Sequence, residues 1–129
     1  MRTWMLTLPV VAVLAASLAG CQAPCDRMCD ARADYINACV EFTRSTMEND
    51  QTPPAGWGIY DDPDLWWSDA YGVADADEYA SMCKADADDN LGGLDGDDTK
   101  LFEQECEGEA LLYEDAIEET DNPSCHLFP

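Results

Sequence analysis

The groups in this chain able to do chemistry are seven cysteines, 28 carboxylates and one histidine, His126. His126 sits among the last residues of the chain beside Cys125, so neither a Ser-His-Asp nor a Cys-His nucleophile is indicated. With 28 carboxylates, some acid and base pair at glycosidase spacing is nearly guaranteed and carries almost no information. The chain has no glycine-rich phosphate loop and no dinucleotide fingerprint. Asp86, Asp88 and Asn90 match the first ligand positions of an EF-hand loop, but Leu91 stands where the sharp turn needs Gly and Asp97 where the bidentate Glu belongs. A calcium ion would have to gather Asp86, Asp88, Asp89, Asp95, Asp97 and Asp98 irregularly. No metal site, cofactor or catalytic residue is assigned from this pattern.

The cysteines carry more information. Seven is odd, and setting Cys21 aside leaves Cys25, Cys29, Cys39, Cys83, Cys106 and Cys125, an even set suited to three disulfides in an oxidising compartment. Zinc is the competing use, since Cys25 and Cys29 have permissible ligand spacing and Cys125-His126 could add ligands, but there is no second close cysteine pair.

Cys21 has a specific alternative to a disulfide. It ends the tetrapeptide Leu18-Ala19-Gly20-Cys21, directly after an apolar run from Trp4 to Leu18 that is broken by Pro9 and preceded by the basic Met1-Arg2. The run is short for a membrane span and has the layout of a secretory signal. This stretch resembles the lipobox of bacterial lipoproteins. The resemblance implies cleavage before Cys21, diacylglycerol on its sulfur and a further acyl chain on the new N-terminus, which together make a stable bilayer anchor. It also divides the chain into a signal peptide (1–20), a lipidated tether (21–24) and a domain (25–129). By the same resemblance, Gln22 after the lipidated cysteine points to the outer membrane of the cell envelope. In general character the remainder resembles the small cysteine-rich lipoproteins of predatory and social Gram-negative bacteria.

Without Arg2 the chain keeps five basic residues against 28 acidic ones, a formal charge of −23. Nucleic acid is excluded as a partner, because phosphate contacts need clustered Lys and Arg. An anionic membrane surface is disfavoured for the same reason, whereas basic proteins and divalent cations are attracted. Charge of this density favours disorder unless something holds the chain compact. Disulfides do so, each contributing about 2–4 kcal/mol.

The elements that position these groups can be read from periodicity. Apolar residues from Cys25 to Met47 form one helical stripe that includes Cys29 and Cys39; Arg32 falls inside it, so its stem must lie along the core while its guanidinium reaches water or a carboxylate. Pro53-Pro54, Gly56, Gly58 and Pro63 then forbid a long element from Glu48 to Tyr71. A second helix is predicted from Asp75, capped with Glu78, to about Asn90. A third starts around Asp97–Thr99, presents Phe102, Cys106, Ala110, Tyr113 and Ile117, and stops by Asn122-Pro123. Its last turn carries Glu114, Asp115, Glu118 and Glu119, the wrong sign for a helix C-terminus, which calls for fraying or a nearby cation. Met82–Asp88 also echoes Met28–Asp34 at five of seven places. The fold class is thus mainly α, a small disulfide-stapled three-helix domain with a long irregular aromatic segment.

Cys29 and Cys39 are about 15 Å apart along a helix and cannot bridge, and Cys25 and Cys29 are one turn apart, so each early cysteine should meet a late one. If the second helix descends from the top of the first, Cys39 pairs with Cys83, Cys29 with Cys106 and Cys25 with Cys125. The main rival joins Cys83 to Cys106 across the second hairpin.

The aromatic segment supplies the candidate binding residues Trp57, Tyr60, Trp66 and Trp67. Flat indole faces stack on sugar rings, and the alternative is that they cap the helices. Adjacent residues on a helix or strand cannot both face one core, so one of Trp66 and Trp67 is expected to meet solvent or a partner. The expected role is a membrane-anchored, non-enzymatic binding module with a glycan, basic protein or divalent cation as partner. A carboxylate-dependent glycan hydrolase and a calcium-binding surface protein are the alternatives. A deep cleft with a close Asp/Glu pair beside Trp66 or Trp67 would favour the hydrolase.

Overall fold

The computed structural model describes residues 22–49, 62–118 and 125. The signal region, Cys21, Trp57 and Tyr60 therefore lie outside the described residues. Three helices build the domain: α1 (Pro24–Glu48), α2 (Ala76–Gly92) and α3 (Gly96–Ala116). A 3₁₀ turn (Pro63–Leu65) and a π-helical turn (Trp67–Tyr71) precede α2. Among the described residues there is no strand.

Each helix begins where a local group satisfies its first amides. Pro24 opens α1, where its missing N–H would have had no partner. Asp75 caps α2 by accepting from the Glu78 amide at 2.9 Å, while the Glu78 carboxylate accepts from the Ala74 amide at 2.6 Å. Asp95 caps α3 by accepting from the Asp98 amide, which starts that helix slightly earlier than the acidic run at 97–99 suggested. Gly72, at φ +67°, closes the π-helical turn in the left-handed region.

The core is organised around α1. Besides the expected stripe of Cys25, Met28, Cys29, Ala33, Ile36, Cys39 and Val40, it buries Ala31 and Tyr35, so it is covered on more than one side. Both α2 and α3 pack along α1 and scarcely touch each other. Going up α1, Arg32 meets Tyr79, which precedes Cys83 on α2, so α2 runs antiparallel. Tyr113 follows Cys106 and packs on Tyr35 with ring centroids 5.2 Å apart, so α3 runs parallel to α1. The acidic end of α3 has found its cation, because Arg27 of α1 donates to Glu114 at 2.9 and 2.7 Å.

Three disulfides radiate from α1: Cys25–Cys106, Cys29–Cys83 and Cys39–Cys125, with Cα separations of 4.8, 5.7 and 5.8 Å. Each early cysteine takes a late partner, as the spacing required. The pairings Cys39–Cys83, Cys29–Cys106 and Cys25–Cys125 are incorrect, and so is the rival Cys83–Cys106. The cause is an axial offset. The segment from Pro63 to Val73 is a packed layer, with Trp66, Trp67 and Val73 buried and Arg44 of α1 bound to Asp64. It occupies the upper part of α1, so α2 begins lower and Cys83 comes level with Cys29 rather than Cys39, a shift of ten residues or about 15 Å. Cys106 drops correspondingly to Cys25, and Cys125 stands beside Cys39 without folding back along α3.

Candidate functional site

Trp66 and Trp67 are the described members of the aromatic group, and both are buried, at 3% and 7% exposure. The expectation that one would face outward is overturned. A turn wedged between α1 and α2 can bury diverging neighbours on two different walls. Pro63–Leu65 packs on α1, while Trp67 joins Tyr71 and Tyr79 of α2 in a ring cluster with centroid distances of 5.1 to 5.8 Å. These indoles are core, not a sugar platform.

The acidic segment is not a calcium loop. Asp86, Asp88 and Asn90 lie within the continuous helix α2, and Asp95 serves the N-terminus of α3. Among the described residues, no group of three or more His, Cys, Asp or Glu side chains is arranged to hold a metal ion. Cys125, a proposed zinc ligand, is in a disulfide.

One concave feature lies elsewhere, in the wedge between α2 and α3 over the surface of α1. It is a cavity of about 220 Å³ lined by Met28 and Arg32 from α1, Tyr79, Met82, Cys83, Asp86, Ala87 and Asn90 from α2, and Phe102 from α3. Arg32 is the residue that interrupted the apolar stripe of the first helix. Its Nε donates to the Tyr113 hydroxyl at 3.2 Å, and its guanidinium carbon lies 5.6 Å from that ring's centroid. Tyr79 also meets the guanidinium, its phenol pKa raised chiefly by burial and partly held back by the charge and hydrogen bond of Arg32. Burial is the largest influence on Arg32 and lowers its pKa; the two phenols, ionised where arginine titrates, and Glu109 outweigh it, leaving a net rise.

The other half-buried basic residues behave differently. Arg27 pairs with Glu114, Arg44 with Glu41 and Asp64, and Lys84 with Asp30. Among the described residues, Arg32 has no carboxylate within ion-pair distance, although Asp86 lines the same cavity. Sequence reasoning had marked Arg32 as an exception but not as part of a site. The signal was present in its position on a face otherwise reserved for the core.

A second and larger recess, of about 590 Å³, lies between α1 and the end of α3 and is lined by Gln22, Arg27, Asp30, Ala31, Asp34, Glu114 and Ile117. Gln22 Nε2 donates there to Asp30 at 2.5 Å, and Asp30 also receives Lys84 at 2.6 Å. The Asp34 carboxyl is pushed upward by burial, with Asp30 and Asp77 adding to the shift. Neither cavity is lined by Trp66 or Trp67.

The chain matches no protein family, no curated protein and no solved structure. The functional reading rests on its own residues.

Proposed function

We propose that the protein is an envelope lipoprotein anchored through acylated Cys21, with the outer membrane as its destination by the Gln22 rule, and that its domain acts by binding rather than catalysis. The observation that carries this reading is the arithmetic of the cysteines. Six of the seven are consumed in three disulfides, which leaves Cys21 as the one cysteine outside them, at the end of Leu18-Ala19-Gly20-Cys21. Three disulfides fit an exported chain, because thiols in a reducing cytosol stay reduced. Gln22, the residue after Cys21, is held against Asp30 on the domain surface. The link to the anchor is correspondingly short, which keeps the domain near the bilayer.

The test is Cys21→Ser in the full precursor, expressed in a Gram-negative host. The native chain should fractionate with membranes and carry the added mass of its acyl chains. The Ser variant should lose both. Membrane retention of a Ser variant whose signal has been removed would show that the anchor lies elsewhere.

A further inference from the structure

The wedge cavity holds two opposite charges that do not meet. Arg32 lies on its α1 wall and Asp86 on its α2 wall, yet they form no ion pair. An arginine that shares a cavity with a carboxylate usually closes on it, because a guanidinium offers a planar fork matched to two carboxylate oxygens. Here the antiparallel packing of α2 on α1 sets Arg32 three residues above the Cys29–Cys83 bond and Asp86 three residues below it, about 9 Å apart along the axis. The Arg32 Nε is committed to the Tyr113 hydroxyl and its guanidinium carbon lies 5.6 Å from that ring's centroid, which ties the side chain to α3. The terminal N–H groups have no carboxylate partner among the described residues, and Met28, Met82 and Phe102 supply an apolar lining.

We infer that this cavity binds a small zwitterion with an apolar body, of the kind represented by a free α-amino acid with an aliphatic or aromatic side chain. Its carboxylate would take the fork of Arg32, its ammonium would face Asp86 and Asn90, and its side chain would lie against Met28, Met82 and Phe102. The volume of about 220 Å³ corresponds to about seven waters, enough for one ring-sized side chain and its head groups. The charge of the whole chain favours a zwitterion over the simpler alternatives. A formal charge of −22 repels a monoanion before it reaches Arg32, and it draws monocations to every acidic surface without selecting this one. A ligand of zero net charge escapes both effects and still gains from opposite charges on two walls of one cavity.

This site is distinct from the lipid anchor, and its test has a different readout, so either proposal can fail alone. The full chain, with its disulfides intact in neutral detergent, is labelled with ¹³C at its methionine methyls and titrated with L-phenylalanine, 3-phenylpropionate and phenethylamine in 0.15 M salt. Phenylalanine should shift the Met28 and Met82 methyl signals saturably. The two probes that each lack one head group should bind at least about tenfold more weakly, the change expected for losing one charge-assisted contact. Asp86→Asn, a change at an exposed position, should weaken phenylalanine by a similar factor while leaving the helical spectrum and the methyl dispersion unchanged. Arg32→Lys should also weaken it, because a point charge does not replace the fork. Absence of any saturable shift, equal binding of either one-headed probe, or an unaltered Asp86→Asn variant would each overturn the assignment.

Discussion

Removing the Cys39–Cys125 bond, by replacing both cysteines with Ala, tests how far one helix organises the fold. The bond spans 86 residues of sequence, and on its own would restrict the unfolded chain by about 4.6 kcal/mol under the loop-entropy relation. The other two bonds shorten the circuit. With Cys25–Cys106 intact, the shortest closed path runs about 14 residues from Cys39 back to Cys25, crosses that bond, and continues about 19 residues from Cys106 to Cys125. A loop of about 33 residues is worth about 3.7 kcal/mol. Removing Cys29–Cys83 or Cys25–Cys106 singly opens a circuit of about 27 residues, worth about 3.6 kcal/mol. The three variants should therefore be nearly equal in stability, despite sequence separations of 86, 54 and 81. Urea unfolding followed by far-UV ellipticity should place the Cys39/Cys125 midpoint about 2 M below that of the parent, for a slope within the usual range for small domains. Non-reducing peptide mapping of the parent provides the control for connectivity. A loss below about 1 kcal/mol would show that Cys125 does not constrain the chain as this geometry requires, and recovery of a Cys39–Cys83 peptide would refute the axial offset itself.

Two glycines should respond in opposite directions to alanine. Gly72 holds φ +67°, so Gly72→Ala should cost about 1–2 kcal/mol although the new methyl meets nothing; Gly108 lies within α3 facing open space, so Gly108→Ala should stabilise by about 0.5–1 kcal/mol, both read as shifts in thermal midpoint. The pH profile should separate two carboxylates. The hydrogen bond from Arg27 depresses the Glu114 pKa, so its contribution is present above its unfolded value of 4.5 and is lost as pH falls through the lower folded value. Glu114→Gln should accordingly lower the midpoint at pH 7 and converge with the parent in acid. Asp34 is raised, chiefly by burial, so the native state favours its protonated form and stability falls as pH rises from 3.8 through the higher folded value. Asp34→Asn should therefore gain on the parent toward neutrality; parallel midpoint curves for either variant would contradict these assignments.

The helices were legible where local chemistry sets them. Pro24 and the cysteine stripe marked α1, Asp75 with Glu78 marked α2, and the face containing Cys106, Ala110 and Tyr113 marked α3. Periodicity reports the face of a helix, however, and not its height against a neighbour. The pairing of cysteines depends on that height, which was set here by how much of α1 the segment around Trp66 and Trp67 covers. The same omission puts one of the two tryptophans outside the core, since a loop offers no second wall to receive a second indole. A further hint lay in α1 itself. Ala31 and Tyr35 fall off the main stripe, and small or aromatic residues at such positions mark a helix covered from more than one direction.

The heptapeptide echo acquires a physical meaning once the helices are placed. Cys29 and Cys83 occupy equivalent positions in the two segments and are bonded to each other, so the similar stretches lie antiparallel and face to face. The two places where they differ carry opposite charges. One is Asp30 opposite Lys84, which closes as an ion pair at 2.6 Å. The other is Arg32 and Asp86, which stays apart across the cavity. The difference follows from the register of the two helices. In antiparallel stretches Asp30 and Lys84 each lie one residue from the Cys29–Cys83 bond, whereas Arg32 and Asp86 lie three residues from it in opposite directions, and Arg32 bonds to Tyr113 of α3. Acidic residues on both α2 and α3 repel one another, and the two helices can remain apart because each is separately bonded to α1, by Cys29–Cys83 and Cys25–Cys106. A three-helix domain stabilised only by burial would close that wedge to recover apolar contact. Covalent attachment to a common helix removes the need, and leaves Arg32, Met28 and Phe102 lining a cavity instead of a core.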